Sequence, residues 1–546
     1  MSSPPTRHLL PPRFQRNVRG FGAFLLAWLL MVVALPANAQ EAAVRFDVLE
    51  YIVEGNSVLA AERIERAVYP FMGEKRDLGD VEAAAAALQK TYRDAGYGNV
   101  SVDIPEQQVA GGVITLRVTE GRIARTRVTG SRYFSQGYIL DKVAAAAEGQ
   151  VPHFPTLQAQ LGHVNRTADR RVAPLLRPGL QTGTTEIDLV VQDQLPLHGS
   201  VGLNNQASAN TTDTRLTASL RYDNLWQRDH SLGVQAVLSP EKTSEVQVLS
   251  ASYSVPMGAV GQDSVVFSFT QSNSQVAAGL AGTTVFGKGR IWGLRHNWML
   301  DIQPLSFHLL TLGADYKDFD ETLEVSGSLQ SPTPIRYLPL SASYVGSVAD
   351  AQGRWSFGTG VSLGLRGLVN RSAQFREKRY LASGGYSILK ADLTREQTLP
   401  WWGSSVRARV DLQWGSEPLV SNEQFVAGGV DSVRGYLESA AAGDQGARGL
   451  LEWRTRDLAP DVLERFGTKW LTALNALAFV EAAATEIRSP QAGQTARFRL
   501  LGAGLGLRLK ASPGLSLNLD LAWPLRTLGS NLRGDPRLHA SGLFEF

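Results

Sequence analysis

From about Leu195 to Phe546, apolar and polar side chains alternate with a period of two in segment after segment. Leu216-Thr217-Ala218-Ser219-Leu220-Arg221-Tyr222-Asp223 puts every apolar residue on one side and every polar residue on the other. Val406-Arg407-Ala408-Arg409-Val410-Asp411-Leu412-Gln413-Trp414 and Leu515-Ser516-Leu517-Asn518-Leu519-Asp520-Leu521-Ala522-Trp523 do the same, with weaker copies at 232–238, 265–269, 310–316, 338–344 and 501–507. Successive side chains of a strand point to opposite faces, so each segment reads as a two-faced strand. The complete ones run about 9–11 residues between Gly, Asp, Asn and Pro, the length a tilted strand needs to cross a bilayer with one face on lipid and one on a polar lumen. Trp226, Trp298, Trp414 and Trp523 fall near segment ends, where interfacial aromatics belong. A soluble sandwich alternates too. The charges Arg407, Arg409 and Asp411 on one strand face need a wet side, which a barrel lumen and a solvated sheet surface both supply. The 353 residues from Gln194 onward, at roughly 20–22 per strand and connector, accommodate a transmembrane β-barrel of about 16 antiparallel strands over 195–546.

The other end of the chain carries an address. Arg7, Arg13, Arg16 and Arg19 stand without an acid in Met1 to Arg19, an apolar run of 15 residues follows from Phe21 to Leu35, and Ala37-Asn38-Ala39 ends it. Basic region, short apolar run and small-x-small triplet make 1–39 a secretory signal peptide. The whole chain has 54 basic and 51 acidic residues, so removing the leader's four arginines leaves 50 against 51. That near-balance offers no nucleic-acid footprint, which needs a clustered basic surface. There is no cysteine, so an exported chain must be held by a large core or a closed hydrogen-bonded barrel. No stretch of about 18 apolar residues follows Leu35, which excludes a transmembrane helix from the mature chain and leaves strands as the means of crossing.

Between the leader and the alternating region, strands and helices mix. Tyr51 to Asn56 reads as a strand running into a Gly-Asn turn, Ala60 to Phe71 and Val81 to Ala95 as amphipathic helices, and Val100 to Ile104 and Val113 to Val118 as strands ending at Glu120-Gly121. The order then recurs. Ile123 to Gly130 is strand-like, Gln136 to Ala147 helical, Leu157 to Leu176 a second helix broken by Pro178-Gly179, and Glu186 to Val191 an alternating strand. Two copies of one small α+β unit, 46–121 and 122–193, account for the pattern.

The most specific segment is Phe425-Val426-Ala427-Gly428-Gly429-Val430-Asp431-Ser432-Val433-Arg434-Gly435-Tyr436. It resembles the signature loop of the BamA-like superfamily, whose members join periplasmic POTRA domains to a barrel, and Val433, Arg434, Gly435 and Tyr436 match that loop's VRGY tetrad. Gly443-Asp444-Gln445-Gly446 with Glu452 looks like the GDxG…E pattern of two-partner secretion transporters, the haemolysin secretion and activation proteins of the ShlB/FhaC/HecB type. Leu419 to Phe425 is similar to the stretch before their loop. A carboxy-terminal strand ending in Phe546 looks like the sorting signal of bacterial outer-membrane barrels. The resemblance makes the two α+β units two POTRA domains, with Val118-Thr119-Glu120-Gly121 closing the first, and Asn165, Asp169, Pro178-Gly179 and Thr185 to Leu189 falling in the second. It places the barrel in the outer membrane, among its lipids, and the POTRA domains in the periplasm.

The resemblance also assigns roles. In the family the loop folds into the lumen and its Arg meets an acid on the wall, a task that suits a guanidinium because it is always charged and presents a rigid fork. The family's wall motif is F-x-D-x-G. Phe479-Val480-Glu481-Ala482-Ala483 matches it with Glu for Asp and Ala for Gly, so Phe479 and Glu481 are the expected partners of Arg434. The implied function is capture of an unfolded exoprotein, a TpsA-like adhesin or haemolysin, by the POTRA domains and its secretion through the barrel without nucleotide. Arg407, Arg409 and Asp411 would keep the passing chain hydrated, and the transporter would act as a monomer. Family members often carry a plugging helix before the first POTRA domain, but Gln40 to Arg45 is too short for one, since an isolated helix needs about 12 residues. The rival within the superfamily is a factor that inserts other barrels. Two POTRA units and the GDxG segment oppose that rival, because the general barrel-assembly protein has five such domains and its TAM counterpart three. A passive pore would not need the α+β region. No enzyme, cofactor or metal is implied. Gly282 to Gly289 lacks the Ser or Thr of a phosphate loop, Gly360-Val361-Ser362-Leu363-Gly364 lies in a strand pattern rather than a nucleophile elbow, and the eight His residues show no ligand spacing.

Overall fold

The alternating segments close on themselves. The computed structural model describes residues 44–546 except 210, 259–262, 281–282, 304, 326–328, 370 and 468, and gives 275–280, 283–287, 301–302, 321–325 and 329–332 by backbone alone. The expected leader, 1–39, and Gly282 of the discounted phosphate loop lie outside the described residues. Antiparallel strands follow one another from Leu197–Asn204 to Arg537–Glu545, and the last pairs with the first, Ser541 opposite Asn204 and Glu545 opposite Ser200. Leu329–Tyr337 and Pro339–Asp350 lie end to end along the Ser306–Val325 strand on either side of Leu338, so they form one stave of a 16-strand wall. Ring closure pairs the two edge strands with each other, leaving no free edge strand among the described residues, the condition for strands to cross a bilayer.

The faces divide as the alternation requires. Val410, Leu412 and Trp414 point out and are about half exposed, while Asp411 and Gln413 between them are covered from inside. Leu515, Leu517, Leu519 and Leu521 point out, and Asp520 is buried. Such rows of bare leucine would be an aggregating patch in water; in a bilayer they are the apolar belt. Gly360 to Gly364 runs inside the strand Gly353–Gly364, with no helix directly after it.

The expected segment length needs correction on one side of the wall. Asp263–Leu280, Thr283–Gln303 and Ser306–Val325 contain 18, 21 and 20 residues, well beyond the roughly 9–11 that span a membrane. Outside the bilayer neither face must be apolar, so the alternation fades where the strands continue.

The α+β region contains the repeat. Glu50–Glu54, Val113–Glu120 and Val100–Asp103 form one sheet with the third strand in the middle, and Arg122–Thr129, Thr184–Asp193 and Arg170–Pro178 form another in the same order. Each first strand ends in a glycine at positive φ, Gly55 at 86° and Gly130 at 81°. A Cβ there would lie 2.2 Å from the Val118 carbonyl oxygen and 2.4 Å from that of Val191, so no other residue fits either turn. Two residues beyond each of those valines, an acid caps the loop. Glu120 accepts from the Ser57 and Val58 amides at 2.6 and 3.0 Å, and Asp193 from the Arg132, Tyr133 and Phe134 amides at 2.9, 2.8 and 3.1 Å. In the first unit the helix Leu78–Asp94 begins three residues earlier than its apolar pattern, because Asp77 and Asp80 form a capping box. It lays Val81, Leu88 and Tyr92 on Val100, Ile114 and Leu116.

The second unit overturns one expectation. The helix read over Leu157 to Leu176 is Phe154–Val164, followed by the strand Arg170–Pro178. Pro174 removes an amide and clashes within a helix, and the sheet needs an edge strand beside Thr184–Asp193. The short strands Phe46–Val48 and Gly73–Arg76, which pair with each other, carry no alternation long enough to read.

Candidate functional site

The connection 416–444, between strands Ser405–Gly415 and Gln445–Arg454, turns into the lumen. A small hairpin, Phe425–Ala427 with Ala441–Gly443, forms its neck, and Arg434 lies near its tip, 3% exposed. The Arg434 amide donates to Glu481 Oε2 at 2.7 Å, and Nε and Nη2 lie 2.9 and 2.7 Å from Oε1. Nη2 also reaches Glu452 at 3.1 Å and Nη1 reaches Asp520 at 3.4 Å. The three acids come from three strands, Gln445–Arg454, Leu471–Glu486 and Leu515–Pro524. Their neighbours Leu451, Val480 and Leu521 are exposed outward, so the acids face the lumen. Phe479 supplies a ring face, with its centroid 3.3 Å from the guanidinium carbon.

Charge is balanced around this seat. Arg454 Nη2 donates to Glu452 at 3.0 Å and Arg508 holds Asp520 through two bonds of 2.8 Å, so three guanidiniums meet three carboxylates. A buried charge without such partners would cost several kcal/mol. The rest of the tetrad fixes the register. Val433 and Tyr436 are fully buried, and the Tyr436 hydroxyl donates to the Arg526 carbonyl at 2.7 Å. Gly435 donates its amide to His539 Nε2 at 3.0 Å with φ at 95°, and a Cβ would come within 2.9 Å of the Pro524 nitrogen.

The two departures from the family's wall motif find room here. The longer Glu481 reaches both the amide and the fork of Arg434, and Ala483 packs with Val433, Tyr436 and Leu500. Of the lumen charges, Arg409 and Asp411 pair at 2.7 Å and Arg448 joins Asp411 at 2.8 Å while donating to the Asp431 carbonyl of the loop. Asp411 therefore orients Arg448, the residue of this group that touches the loop, and Arg409 pairs with Asp411 from beside it. Arg407, nearer the α+β end of the barrel, lies 3.7 Å from Glu396 and lines a polar cavity of about 270 Å³ with Arg354, Gln397 and Arg454.

Sequence reading missed Asp520 and His539 as partners of the tetrad. Both lie on the inward face of their strands, which alternation could show, but which inward residue meets the loop depends on the shear of the barrel. It also missed the turn Leu225 to His230, where Trp226, Gln227 and Asp229 hold positive φ without being glycine, as does Asn224 just before. Strain of that kind persists where surroundings over-determine it. Asp229 accepts from the Tyr138 hydroxyl at 2.6 Å and pairs with Arg170 at 2.8 Å and Lys142 at 3.2 Å, all three in the second α+β unit. Burial pushes the Asp229 carboxyl up, but the cations and the Tyr138 hydroxyl outweigh it and hold it below the ordinary aspartate range. Among the described residues, Asp169, His198 and Asp223 could offer metal-ligand atoms within 4.8 Å of one another. Asp169 and His198 hydrogen-bond at 3.1 Å and Asp223 takes Arg221 at 3.0 Å, so protein partners already account for them.

Comparison with known proteins agrees with this architecture. The family model described as haemolysin secretion/activation protein ShlB/FhaC/HecB matches residues 183–509, and the POTRA domain of ShlB type matches 46–121. The outer membrane transporter CdiB of Escherichia coli O6:K15:H31 (strain 536 / UPEC) is 25% identical over 430 residues, covering 75% of this chain and 69% of its own length. That of Dickeya dadantii (strain 3937) is 23% identical over 427 residues, covering 74% and 72%. Among solved structures, CdiB from Escherichia coli superposes with a TM-score of 0.60 at 19% identity over 94% of this chain and 93% of the other. BamA from Haemophilus ducreyi lacking POTRA domains 1–3 gives 0.56 at 13% over 92% and 100%.

Proposed function

The chain belongs to the haemolysin secretion/activation protein family ShlB/FhaC/HecB, and from that premise we propose that it captures an unfolded exoprotein in the periplasm and secretes it through its own barrel without nucleotide. The barrel lies in the outer membrane with the POTRA region in the periplasm. We read 122–193 as a second POTRA domain, on the shared strand order and the matching glycine–acid closures at Gly55/Glu120 and Gly130/Asp193. The cargo is a TpsA-like exoprotein, and an exposed POTRA sheet edge would take it by strand addition, whose main-chain hydrogen bonds tolerate many sequences.

One observation carries the reading: a loop is seated across a polar lumen by a buried, charge-balanced ion network rather than by apolar packing alone. Such a network holds one geometry strongly, yet its members can exchange partners for water or a polar chain when the lumen fills. The test is secretion of the exoprotein encoded beside the gene, comparing wild type with Arg434→Ala at matched amounts of folded barrel. Loss of extracellular cargo is expected. Unchanged secretion in the variant overturns the role of Arg434, and unchanged secretion on deleting the whole gene moves the assignment to barrel insertion.

A further inference from the structure

Asp444, of the Gly443-Asp444-Gln445-Gly446 segment, is fully buried and has no part in the Arg434 network. It accepts five donors: both terminal nitrogens of Arg379, one at 2.6 Å, the Leu419 amide at 2.8 Å, the Arg488 amide at 2.6 Å and the Gln424 side chain at 3.3 Å. Arg379 also donates to the Leu419 carbonyl. Arg379 belongs to a different connection, 365–386, which lies at the end of the barrel opposite Leu197. A short helix there, Ser372–Lys378, precedes it. The helix turns Phe375 into a buried cluster with Phe319, Ile335, Tyr337, Tyr386 and Leu419. That cluster is on the lumen side, because Trp292, opposite Tyr316 in the register, is exposed outward while Ile291 and Lys317 face in. Glu423 of the tetrad-bearing loop meets the same place, pairing with Lys317 at 2.5 Å and accepting from the Tyr337 hydroxyl at 2.8 Å. The helix Ser372–Lys378 and the loop 416–444 thus both fold inward at the outer end, joined by the Arg379–Asp444 ion pair and by the apolar cluster that Phe375 and Leu419 share.

We propose that Arg379 and Asp444 form a latch that holds the outer mouth shut, separate from the Arg434 seat, and that it parts when cargo leaves. The cargo clause rests on the transporter reading; the closure itself does not. The design is asymmetric. If Arg379 withdraws, Asp444 keeps two backbone amides and a side-chain amide, so the tetrad loop stays seated. The helix loses its polar anchor and keeps the apolar seat of Phe375, and at seven residues it has little stability of its own. Parting the pair therefore loosens the helix Ser372–Lys378 while the tetrad loop stays in place. Arg379 is a positioning residue, since it acts through the helix it tethers.

The experiment measures conductance of the purified full chain in planar bilayers without cargo. Arg379→Ala is expected to raise open-channel activity several-fold over wild type, with Arg379→Lys in between because an ammonium keeps the charge but loses the fork. Phe375→Ala releases the same helix from its apolar seat without touching a charge, and the same rise is expected. Heat-modifiable mobility shows that each barrel is folded. Folded Arg379→Ala or Phe375→Ala barrels as closed as wild type overturn the latch. Secretion measured in parallel separates the two ideas: a wild type that secretes nothing sinks the transporter reading while leaving the conductance result standing.

Discussion

At the residue scale the molecule depends on where a few charges are buried. Glu481 is held by three donors of one residue, the amide, Nε and Nη2 of Arg434. Glu481→Gln removes the charge that balances Arg434 and replaces an acceptor oxygen by a donor, so one contact becomes repulsive. Breaking one partner of a buried pair costs about 3–5 kcal/mol. The expected outcome is a lower temperature of barrel unfolding on heat-modifiability gels, with Glu481→Asp milder because it keeps the charge but shortens the reach. An unchanged midpoint for Glu481→Gln would show that the loop is held by Val433 and Tyr436 instead. Gly435→Ala would be strained at a φ of 95° and within 2.9 Å of the Pro524 nitrogen, a cost of about 1–3 kcal/mol. Protease access to the 416–444 loop in intact cells should rise.

At the scale of elements, turns and caps decide which strands meet. Gly130→Ala would drive a methyl against the Val191 carbonyl. It should loosen the second α+β sheet by about 1–3 kcal/mol while the barrel remains heat-modifiable, which limited proteolysis reads directly. The strained turn before His230 ties that α+β unit to the barrel through Asp229. The Asp229 carboxyl is held below the ordinary range in the fold, so its stabilisation is complete above the ordinary aspartate pKa, about 3.9. It is lost as pH falls through the lower folded value. Hydrogen exchange over 133–142 should therefore speed up in acid below about pH 4, and Asp229→Asn should exchange fast at neutral pH with little further change. A wild type flat in acid would remove Asp229 from the tie.

At the scale of the whole molecule, the ring is only as good as its seam. The last strand meets the first over five paired positions, and Phe546 and Gly199 exchange backbone bonds of 3.0 Å at the end of that seam. Deleting Phe546 removes both bonds, and should lower the amount of heat-modifiable barrel recovered from outer membranes. Full recovery would mean the seam closes without it. The sequence by itself determined the alternation that makes a two-faced wall, the approximate strand number, the two α+β units and the tetrad, because each is written in neighbouring residues. It also named Glu481, through a resemblance rather than through spacing. Only the tertiary structure decided that Glu452, Asp520 and His539 surround Arg434, and that Asp444 takes Arg379 from a connection more than 60 positions earlier. Those partners lie on different strands, and which inward residues share a level depends on shear and tilt, a property of the closed ring that no single strand contains.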